Sequence, residues 1–499
     1  MSEPFDIAVI GGGINGCGIA RDAAGRGLRV CLLEMGDLAG ATSSASTKLI
    51  HGGLRYLEYY EFRLVREALG EREVLLRAAP HIIHPMRFVL PHHAGLRPWW
   101  VIRLGLFLYD YIGGRKELPP TKSLDLKQDR AGRPLKPDYA RAFEYSDCWV
   151  DDARLVVLNA RDAADRGADI RTRTKVVAAR RDGALWRLTL ESARDGRGEI
   201  TARALVNAAG PWVADVLGGV AGLNVPAKVR MVKGSHIVVD KLYDHDRAYI
   251  FQNADGRVCF AIPFQKQFTL IGTTDEDYHG DPAVPHIDDG ETDYLIGAAN
   301  EYFAKSIARD AIRWSFSGVR PLYDDGASEA RAATRDYVLT LDAPERAAPV
   351  LSVFGGKITT FRRLAEHAMR DLAPHFPVMG KPWTRDARLP GGDMDYDLGR
   401  WESGIAWRYP TVEATVVRRL CHLYGTRVHS VLEGVAEGAG MGRDFGAGLH
   451  QREVDWLMDN EWAETAADVL WRRTKLGLHF SAAEVEALDR YMAGRRAAV

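Results

Sequence analysis

The chain has few cysteines, no long apolar run and almost no net charge. Its five cysteines are dispersed and never form a C-x-x-C pair, which argues against a disulfide scaffold or a metal site and favours a reducing compartment. With 66 basic and 67 acidic residues the net charge is −1, which excludes a strongly basic nucleic-acid surface. No apolar run reaches the roughly 18 residues that a membrane-spanning helix needs. The chain enters an apolar strand directly, so we expect no secretion signal and a soluble or peripheral protein.

The N-terminal residues have the pattern of a dinucleotide-binding βαβ unit. The apolar strand Phe5–Ile10 meets the turn GGGING, a helix follows, and a second apolar strand ends at Glu34. Gly11 permits a tight turn, Gly13 lets the backbone approach a pyrophosphate, and Gly16 lets the helix pack against the strand. The helix N terminus favours phosphate. Glu34 suits ribose hydroxyls and argues against NADP, whereas FAD and NAD are not separated by this stretch.

Two further segments are predicted to face a ligand. Residues 37–56 are too rich in small and hydroxyl side chains to form a core, and their interleaved basic and aromatic residues indicate a ligand-lining loop rather than a linker. Later, the apolar strand Val350–Phe354 runs into GGKITT and a helix to about Leu372. This repeats the order of strand, glycine turn and helix. We therefore predict that a second helix N terminus, at residues 356–359, faces an anionic or electron-rich group.

Residues 97–116 form an aromatic and apolar stretch with basic flanks. It is too short to cross a bilayer, but its ends are typical of a helix that lies in the headgroup region. A buried core helix, with Trp99 and Trp100 as packing residues, explains the same pattern. Both alternatives stay open at this point.

The rest of the chain indicates two more structural units. Between residues 228 and 275 the apolar pattern has period two, which predicts an antiparallel sheet inserted into the first domain. Beyond residues 389–392 the pattern is helical, with a capping box at Ser481 and Glu484.

Ten motifs in order resemble the FAD-dependent glycerol-3-phosphate dehydrogenase family, in its aerobic, membrane-associated bacterial form. They are GGGINGCGIARDAAGRGL, ATSSASTKLIHGGLRYLE, YSDCWVDDARLV, LVNAAGPW, KGSHIVV, IGTTDEDY, SGVRPL, TRDY, SVFGGKITT and DVLWRRTKLGL. The resemblance implies an α/β fold with a Rossmann-like, D-amino-acid-oxidase-like FAD-binding domain from residues 1–90, 150–225 and 345–388. An antiparallel-sheet substrate domain takes residues 91–149 and 226–344, and an all-α C-terminal domain takes residues 389–499.

The resemblance also implies an activity. It is the oxidation of sn-glycerol 3-phosphate to dihydroxyacetone phosphate, by hydride transfer from C2 to N5 of non-covalent FAD, with electrons passing to membrane quinone. Members of this kind are homodimers, peripheral on the inner face of the cytoplasmic membrane. A glycerol-3-phosphate oxidase that uses oxygen, an amino-acid oxidase or dehydrogenase, and a non-catalytic FAD-binding sensor are the alternatives.

A phosphate dianion needs two or three cations, preferably arginine. By resemblance the substrate-binding residues are Arg55, Tyr56, His236, Arg320, Arg335 and Lys357, of which Arg335, beside Asp336, fits a surface ion pair best. His236 is the predicted base, because an unperturbed histidine pKa near 6.5 suits proton abstraction at neutral pH. Its alternative is a structural histidine in a strand. Thr274 is expected to lie near His236. Arg320 and Lys357 are expected to stabilise developing negative charge.

The predicted FAD contacts come from both glycine turns, the loop between them and strand ends. They are Gly11, Gly13, Ile14, Asn15, Gly16, Glu34, Thr42, Ser43, Ser46, Lys48, Leu49, His51, Gly52, Val177, Ala209, Gly210, Gly356, Lys357, Ile358 and Thr359. His51 is also a conceivable point of covalent flavin attachment.

Overall fold

A computed structural model describes residues 3–114, 117–223, 229–253, 255–324, 336–394 and 397–497. Within these ranges the strands are β1 (Phe5–Ile10), β2 (Val30–Leu33), β3 (Leu49–Ile50), β4 (Ile83–His92), β5 (Lys122–Asp125), β6 (Arg141–Val150), β7 (Asp169–Arg171), β8 (Thr174–Asp182), β9 (Leu185–Ser192), β10 (Gly196–Asn207), β11 (Val229–Asp240), β12 (Ala248–Gln252), β13 (Val258–Phe264), β14 (Phe268–Gly272), β15 (Glu276–Asp277), β16 (Ile312–Tyr323), β17 (Val338–Asp342) and β18 (Val350–Phe354). The helices are α1 (Ile14–Gly25), α2 (Phe62–Ala78), α3 (Trp99–Ile112), α4 (Asp152–Asp165), α5 (Val213–Asp215), α6 (Asp289–Tyr302), α7 (Phe361–Leu372), α8 (Leu398–Arg408), α9 (Ala414–Tyr424), α10 (Val428–Val431), α11 (Gln451–Glu461) and α12 (Ala482–Ala497).

The first sheet carries the N-terminal βαβ unit. Five parallel strands lie in the order β18, β10, β1, β2, β7, and β17 joins β18 antiparallel. Helices α1, α4 and α7 contribute to the core on one face, and strands β8 and β9 cover the other. A parallel sheet covered on both faces requires apolar strands such as β1 and β18. Their carboxyl ends meet at one edge of the sheet, so both glycine turns start there.

The second sheet has ten strands and is antiparallel except where β4 pairs with β12. Strand β11 pairs with three other strands of this sheet, β14, β15 and β16. The predicted antiparallel sheet is therefore confirmed. Its membership differs from the predicted domain boundaries, because β3 and β4 belong to it and β17 belongs to the first sheet. Pairing between strands distant in sequence decides this, and local apolar patterns do not report it.

The C-terminal region is helical, as predicted. Among described residues 397–497 no strand forms apart from an isolated bridge between Asp444 and His450, and helices α8 to α12 enclose their own apolar core. The predicted capping box is present, since Ser481 N–H donates to Glu484 and Glu484 N–H donates to the Ser481 hydroxyl. Within the described ranges we find no helix with the length and hydropathy to cross a bilayer.

Helix α3 combines the two alternatives for residues 97–116. Trp99 stacks on Phe143 with ring centres 3.8 Å apart, and Leu106 and Tyr109 are buried. The opposite side exposes large apolar side chains, by 69% for Trp100, 53% for Leu104, 50% for Phe107 and 57% for Tyr111. One face therefore packs on the second sheet while the other presents an apolar surface, which we call the α3 face.

Candidate active site

The first glycine turn has no room for side chains. Gly11 has φ +112°, and a Cβ there would lie 2.4 Å from the carbonyl oxygen of Ala208. A Cβ on Gly16 would lie 2.0 Å from the carbonyl oxygen of Gly11, so α1 packs directly on the turn. Helix α1 has no side-chain cap at Gly13, although the Ser43 hydroxyl accepts the N–H of Ile14. A bare backbone at a helix N terminus is the cradle that a pyrophosphate fits.

Glu34 stands beside this turn at the end of β2. Its carboxylate accepts the N–H of Gly12 at 2.6 Å and the N–H of Gly36 at 2.7 Å, and burial raises its pKa. A carboxylate offers about four acceptor positions, so these two bonds leave capacity for ribose hydroxyls. The acid is thus held at the turn where the sequence predicted it.

The two glycine turns are joined by hydrogen bonds. Asn15 Nδ2 donates to the carbonyl oxygen of Gly355 at 3.1 Å, and its own Oδ1 is buried without a partner among the described residues. The Thr359 hydroxyl accepts the N–H of His51 at 3.3 Å, which ties the loop at 42–52 to the second turn. The expected helix start at residues 356–359 is corrected, because α7 begins at Phe361. Positive φ at Gly355 (+71°) and Gly356 (+98°) keeps these residues out of a helix.

A cavity of about 490 Å³ lies where these turns meet the second sheet. It brings together nine of the predicted residues: Thr42, His51, Arg55, Tyr56, Arg320, Gly356, Lys357, Ile358 and Thr359. Arg335 lies outside the described residues.

The three predicted cations that line the cavity are held in different ways. Arg320 pairs with Asp275 and donates to the Thr273 hydroxyl at 3.3 Å. Lys357 Nζ lies 3.9 Å from the centre of the Tyr56 ring, and Arg55 donates to the hydroxyl of Tyr59 at 3.2 Å. Among the described residues neither Arg55 nor Lys357 pairs with a carboxylate. This side of the cavity, which Glu61 also lines, therefore carries two cations without a paired carboxylate, and this suits a dianion.

His236, the predicted base, is not among the residues that line the cavity. It is 1% exposed, its ring stacks on Phe316, and its Nε2 lies 3.0 Å from the hydroxyl of Thr47, a residue that does line the cavity. Burial lowers the pKa of His236 to about 3. A histidine at this depth stays neutral, and its Nδ1 is buried without a hydrogen-bond partner among the described residues. Its roles as base and as substrate contact stay predictions.

Thr274 also lies away from the cavity. Its hydroxyl donates to Glu291 at 2.6 Å and accepts the N–H of Ser235 at 2.8 Å, all of them buried. Its neighbour Thr273 lines the cavity instead. Adjacent side chains of an extended chain point to opposite sides, so the alternation in IGTTD could have identified Thr273.

His51 lines the cavity from the loop at 42–52. Burial lowers its pKa, and Lys357 acts in the same direction. Its ring approaches Phe260 edge-on at 6.4 Å, and no side-chain hydrogen bond ties it within the described part of the chain. A neutral imidazole at this wall is available to a ligand.

Other residues of the same loop are directed at α4. The Ser46 hydroxyl and Lys48 Nζ donate to Asp152 at 2.8 and 2.9 Å, and burial lowers the pKa of Lys48 to about 8. Their side chains are therefore structural, and only their backbone is left to face FAD. Leu49 is buried in β3, and Gly52 N–H donates to the hydroxyl of Tyr109 at 2.8 Å.

Three predicted FAD contacts come from other strands of the first sheet. Ala209 and Gly210 follow β10 beside the first glycine turn, while Val177 lies at a bulge in β8. Sequence reasoning missed several cavity residues, which come from the loop at 42–52, the short helical turn after Gly53 and the second sheet with its connections: Thr47, Tyr59, Tyr145, Gln252, Arg257, Phe260 and Thr273. Only strand alternation could have indicated those on the second sheet.

A parallel sheet with a bare glycine turn, an acid at the second strand end and a second glycine turn at the same edge defines a dinucleotide-binding oxidoreductase fold. A family model described as FAD dependent oxidoreductase matches residues 6–361, and one described as the C-terminal domain of alpha-glycerophosphate oxidase matches residues 382–494. The chain belongs to the FAD-dependent oxidoreductase family, and its cofactor is FAD.

Relatives and solved structures agree with this assignment. The chain is 53% identical over 492 residues to a glycerol-3-phosphate dehydrogenase of Pseudomonas aeruginosa, covering 99% of this chain and 96% of the relative. It is 48% identical to the aerobic glycerol-3-phosphate dehydrogenase of Escherichia coli (98% and 97% covered) and 55% identical to a D-erythritol 1-phosphate dehydrogenase of Brucella abortus (97% and 97%). A Bacillus halodurans glycerol-3-phosphate dehydrogenase solved with FAD aligns with a TM-score of 0.78 at 29% identity, covering 99% of this chain and 91% of that one. The family resemblance and the fold class are confirmed.

Proposed function

We propose that the protein oxidises the C2 hydroxyl of sn-glycerol 3-phosphate to the ketone of dihydroxyacetone phosphate. The observation that carries this proposal is the cationic cavity at the junction of the two glycine turns, lined by Arg55, Arg320 and Lys357. With Arg257, four cations line this cavity, and this suits a small phosphorylated alcohol better than a carboxylate or an uncharged polyol. The names of the Pseudomonas and Escherichia relatives support the same substrate.

The cations divide into two roles. Arg55 and Lys357, which pair with no described carboxylate, bind the phosphate dianion, and Tyr56 adds a hydrogen bond. Arg320 is held by Asp275 and Thr273, so its guanidinium is fixed where it stabilises the developing alkoxide. FAD supplies the hydride acceptor when bound. The protein contributes orientation, charge and a base.

We assign the base to His51 in place of His236. His51 lines the cavity, and its lowered pKa keeps the imidazole neutral and able to accept the hydroxyl proton at pH 7. The hydrogen bond between its N–H and Thr359 holds its backbone against the second glycine turn. Arg320 faces the same cavity. Its positive charge stabilises the alkoxide oxygen that forms when the substrate hydroxyl loses its proton.

Anaerobic bleaching of the flavin tests the activity directly. Adding sn-glycerol 3-phosphate to the holoenzyme should abolish the visible flavin absorbance, and glycerol at the same concentration should leave it unchanged because it lacks the phosphate. A flavin that stays oxidised with the phosphorylated substrate refutes the proposal and favours a non-catalytic FAD-binding protein. Bleaching by amino acids would favour an amino-acid oxidase.

A four-carbon polyol phosphate is the second candidate substrate. The Brucella relative, 55% identical to this chain, is named a D-erythritol 1-phosphate dehydrogenase. The cavity extends beyond Arg55, Arg320 and Lys357 to Gln252 and Arg257, whose polar groups can hydrogen-bond an added hydroxymethyl group. The ratio of kcat/KM for sn-glycerol 3-phosphate to that for D-erythritol 1-phosphate separates the two. A ratio above one supports the three-carbon substrate, and a ratio below one supports the other.

We propose membrane quinone as the electron acceptor. The α3 face supports this, because a quinone acceptor requires contact with a bilayer. Oxidation assays with a soluble quinone analogue and with oxygen, each with peroxide detection, discriminate the alternatives. Stoichiometric peroxide with slow quinone reduction would make the protein a glycerol-3-phosphate oxidase instead.

The same surface supports a peripheral location on the inner face of the cytoplasmic membrane. Aromatic residues flank the apolar side chains of α3, and Arg97 and Arg103 add positive charge near an anionic lipid surface. A homodimer is proposed from the family resemblance alone, and light scattering of the detergent-solubilised protein tests it.

A further inference from the structure

The C-terminal motif DVLWRRTKLGL packs against the two loops that lie beside the first glycine turn. It contains the segment Asp468–Arg473, followed by Lys475. These residues come from the region matched by the C-terminal family model, whereas the loops at 35–40 and 42–48 belong to the FAD-binding fold. The contacts between them are buried and ionic.

The first contact joins Arg473 to Asp37. Arg473 is 0% exposed, and its two terminal nitrogens donate to the two carboxylate oxygens of Asp37 at 2.8 Å each. Asp37 follows Glu34 in the same turn, and the next residues return to the glycine turn, where Ala39 N–H donates to the carbonyl oxygen of Gly12 at 3.0 Å. A bidentate pair of this kind fixes orientation as well as distance. Arg473 therefore holds the turn that presents Glu34.

The second contact joins Lys475 to the loop at 42–48 through Asp152. Lys475 Nζ donates to Oδ1 of Asp152 at 3.1 Å, and the other carboxylate oxygen accepts from Ser46 and Lys48. Asp152 is 0% exposed. Both lysines have positive φ, +58° at Lys475 and +60° at Lys48, which is uncommon outside glycine. The backbone is therefore strained at both lysines that donate to the buried carboxylate of Asp152.

We propose that the C-terminal domain completes the FAD site, with Arg473 and Lys475 as positioning residues for the loops at 35–40 and 42–48. They touch neither cofactor nor substrate and act through Asp37 and Asp152. The loss of either cation removes one of the cationic partners of a buried carboxylate, since Asp37 also pairs with Arg472 and Asp152 also pairs with Lys48. The loop is then held less firmly, and FAD less tightly. The inference rests on the FAD site and not on the proposed substrate.

FAD release from the full-length holoenzyme tests this without turnover. After dilution, the rise of free-flavin fluorescence gives the dissociation rate. We expect Arg473→Gln to release FAD about tenfold faster than wild type, a loss of about 1.4 kcal/mol in binding. Arg473→Lys should restore part of the difference, because it keeps the charge and loses the fork. Lys475→Met should also accelerate release.

Arg419 offers a matched control. It forms a bidentate pair with Glu453 at 2.6 and 2.7 Å inside the C-terminal core and contacts neither loop. Arg419→Gln should lower the melting temperature while leaving FAD release unchanged. If Arg473 positions the FAD site, excess FAD should raise the melting temperature of Arg473→Gln by less than it raises that of wild type. If the role of Arg473 is only structural, excess FAD should raise both melting temperatures by the same amount. If Arg473→Gln does not fold, Asp37→Asn tests the same bond. Release within twofold of wild type in the folded variant, or equal acceleration by Arg419→Gln, overturns the proposal.

Discussion

The two walls of the cavity hold their charges differently. The first wall comes from the segment that follows β3 and from the second glycine turn, and it carries His51, Arg55 and Lys357. The second comes from the antiparallel sheet and carries Arg320 and Arg257. Cations of the second wall are each paired, Arg320 with Asp275 and Arg257 with Asp255 and Glu276, whereas Arg55 and Lys357 of the first wall contact aromatic residues.

This difference separates binding charge from positioning. A cation already paired with a carboxylate adds little net field, but its direction is fixed. A cation without such a partner adds net charge and gains most from a dianion. The first wall is therefore suited to capture the phosphate, and the second to orient the reacting alcohol.

The largest expected effect on kcat is a difference between the two histidines, His51 and His236. His51→Asn should lower kcat by about 10²–10⁴-fold, the usual contribution of a general base. His236→Asn should lower it by less than about tenfold, because the hydrogen bond described for its ring is to the Thr47 hydroxyl. Steady-state kcat with saturating substrate measures both. A larger loss in the His236 variant would return the base to the second wall.

The pH profile of kcat sharpens the same contrast. A base must be neutral, so kcat should be constant above the lowered pKa of His51 and fall as the pH drops below it, at values under 6.5. His236, with a pKa of about 3, produces no change between pH 5 and 8. Saturating substrate reports on the bound complex and avoids the titration of free substrate phosphate, whose pKa is near 6.

Arg320→Ala comes next. Removing a preorganised donor to the developing oxyanion should lower kcat by about 10²–10³-fold. Asp275→Asn keeps the guanidinium and removes its anchor, so a smaller loss is expected. Rapid-mixing measurements of flavin reduction give the chemical step in each. Equal losses in both variants would mean that Arg320 acts through its ion pair and not on the substrate.

Lys357→Ala should raise KM by about 10-fold or more and slow flavin reduction, because an uncompensated cation is lost beside the phosphate. Arg55→Ala should show mainly the rise in KM. The wild-type KM should increase with ionic strength as exposed charges are screened. Unchanged flavin reduction at saturating substrate in Lys357→Ala would restrict that residue to binding.

The smallest effect on catalysis is expected from substitutions in the α3 face. The triple variant Trp100→Ser, Leu104→Ser, Phe107→Ser removes exposed apolar area from α3 and should reduce co-sedimentation with anionic liposomes. Flavin bleaching by substrate in solution should stay normal. Trp99→Ser is unsuitable, because Trp99 stacks on Phe143 inside the fold. Undiminished liposome binding would exclude the α3 face as the membrane contact.

Local sequence patterns predicted much of the fold and several residues of the cavity lining. The first glycine turn, Glu34, the antiparallel sheet and the helical C-terminal region depend on short-range patterns, and the structure has them. The cations in HGGLRY, SGVRPL and GGKITT also meet as expected. Local patterns did not predict that His236 and Thr274 lie outside the cavity lining, because the side of a strand that faces the cavity, and the depth at which a histidine is buried, depend on packing between distant segments. The roles of Lys48 and Ser46 depend likewise on Asp152, which is far from them in sequence.

The hydrogen bond from Asn15 to Gly355 spans 340 positions of the chain. During synthesis the N-terminal turn leaves the ribosome long before β18 and Lys357 exist. Until β18 is made, β10 has no parallel neighbour on that side, so this edge of the nascent sheet stays exposed to solvent. We therefore expect the FAD site to be completed late, after the second glycine turn and the C-terminal helices have been made.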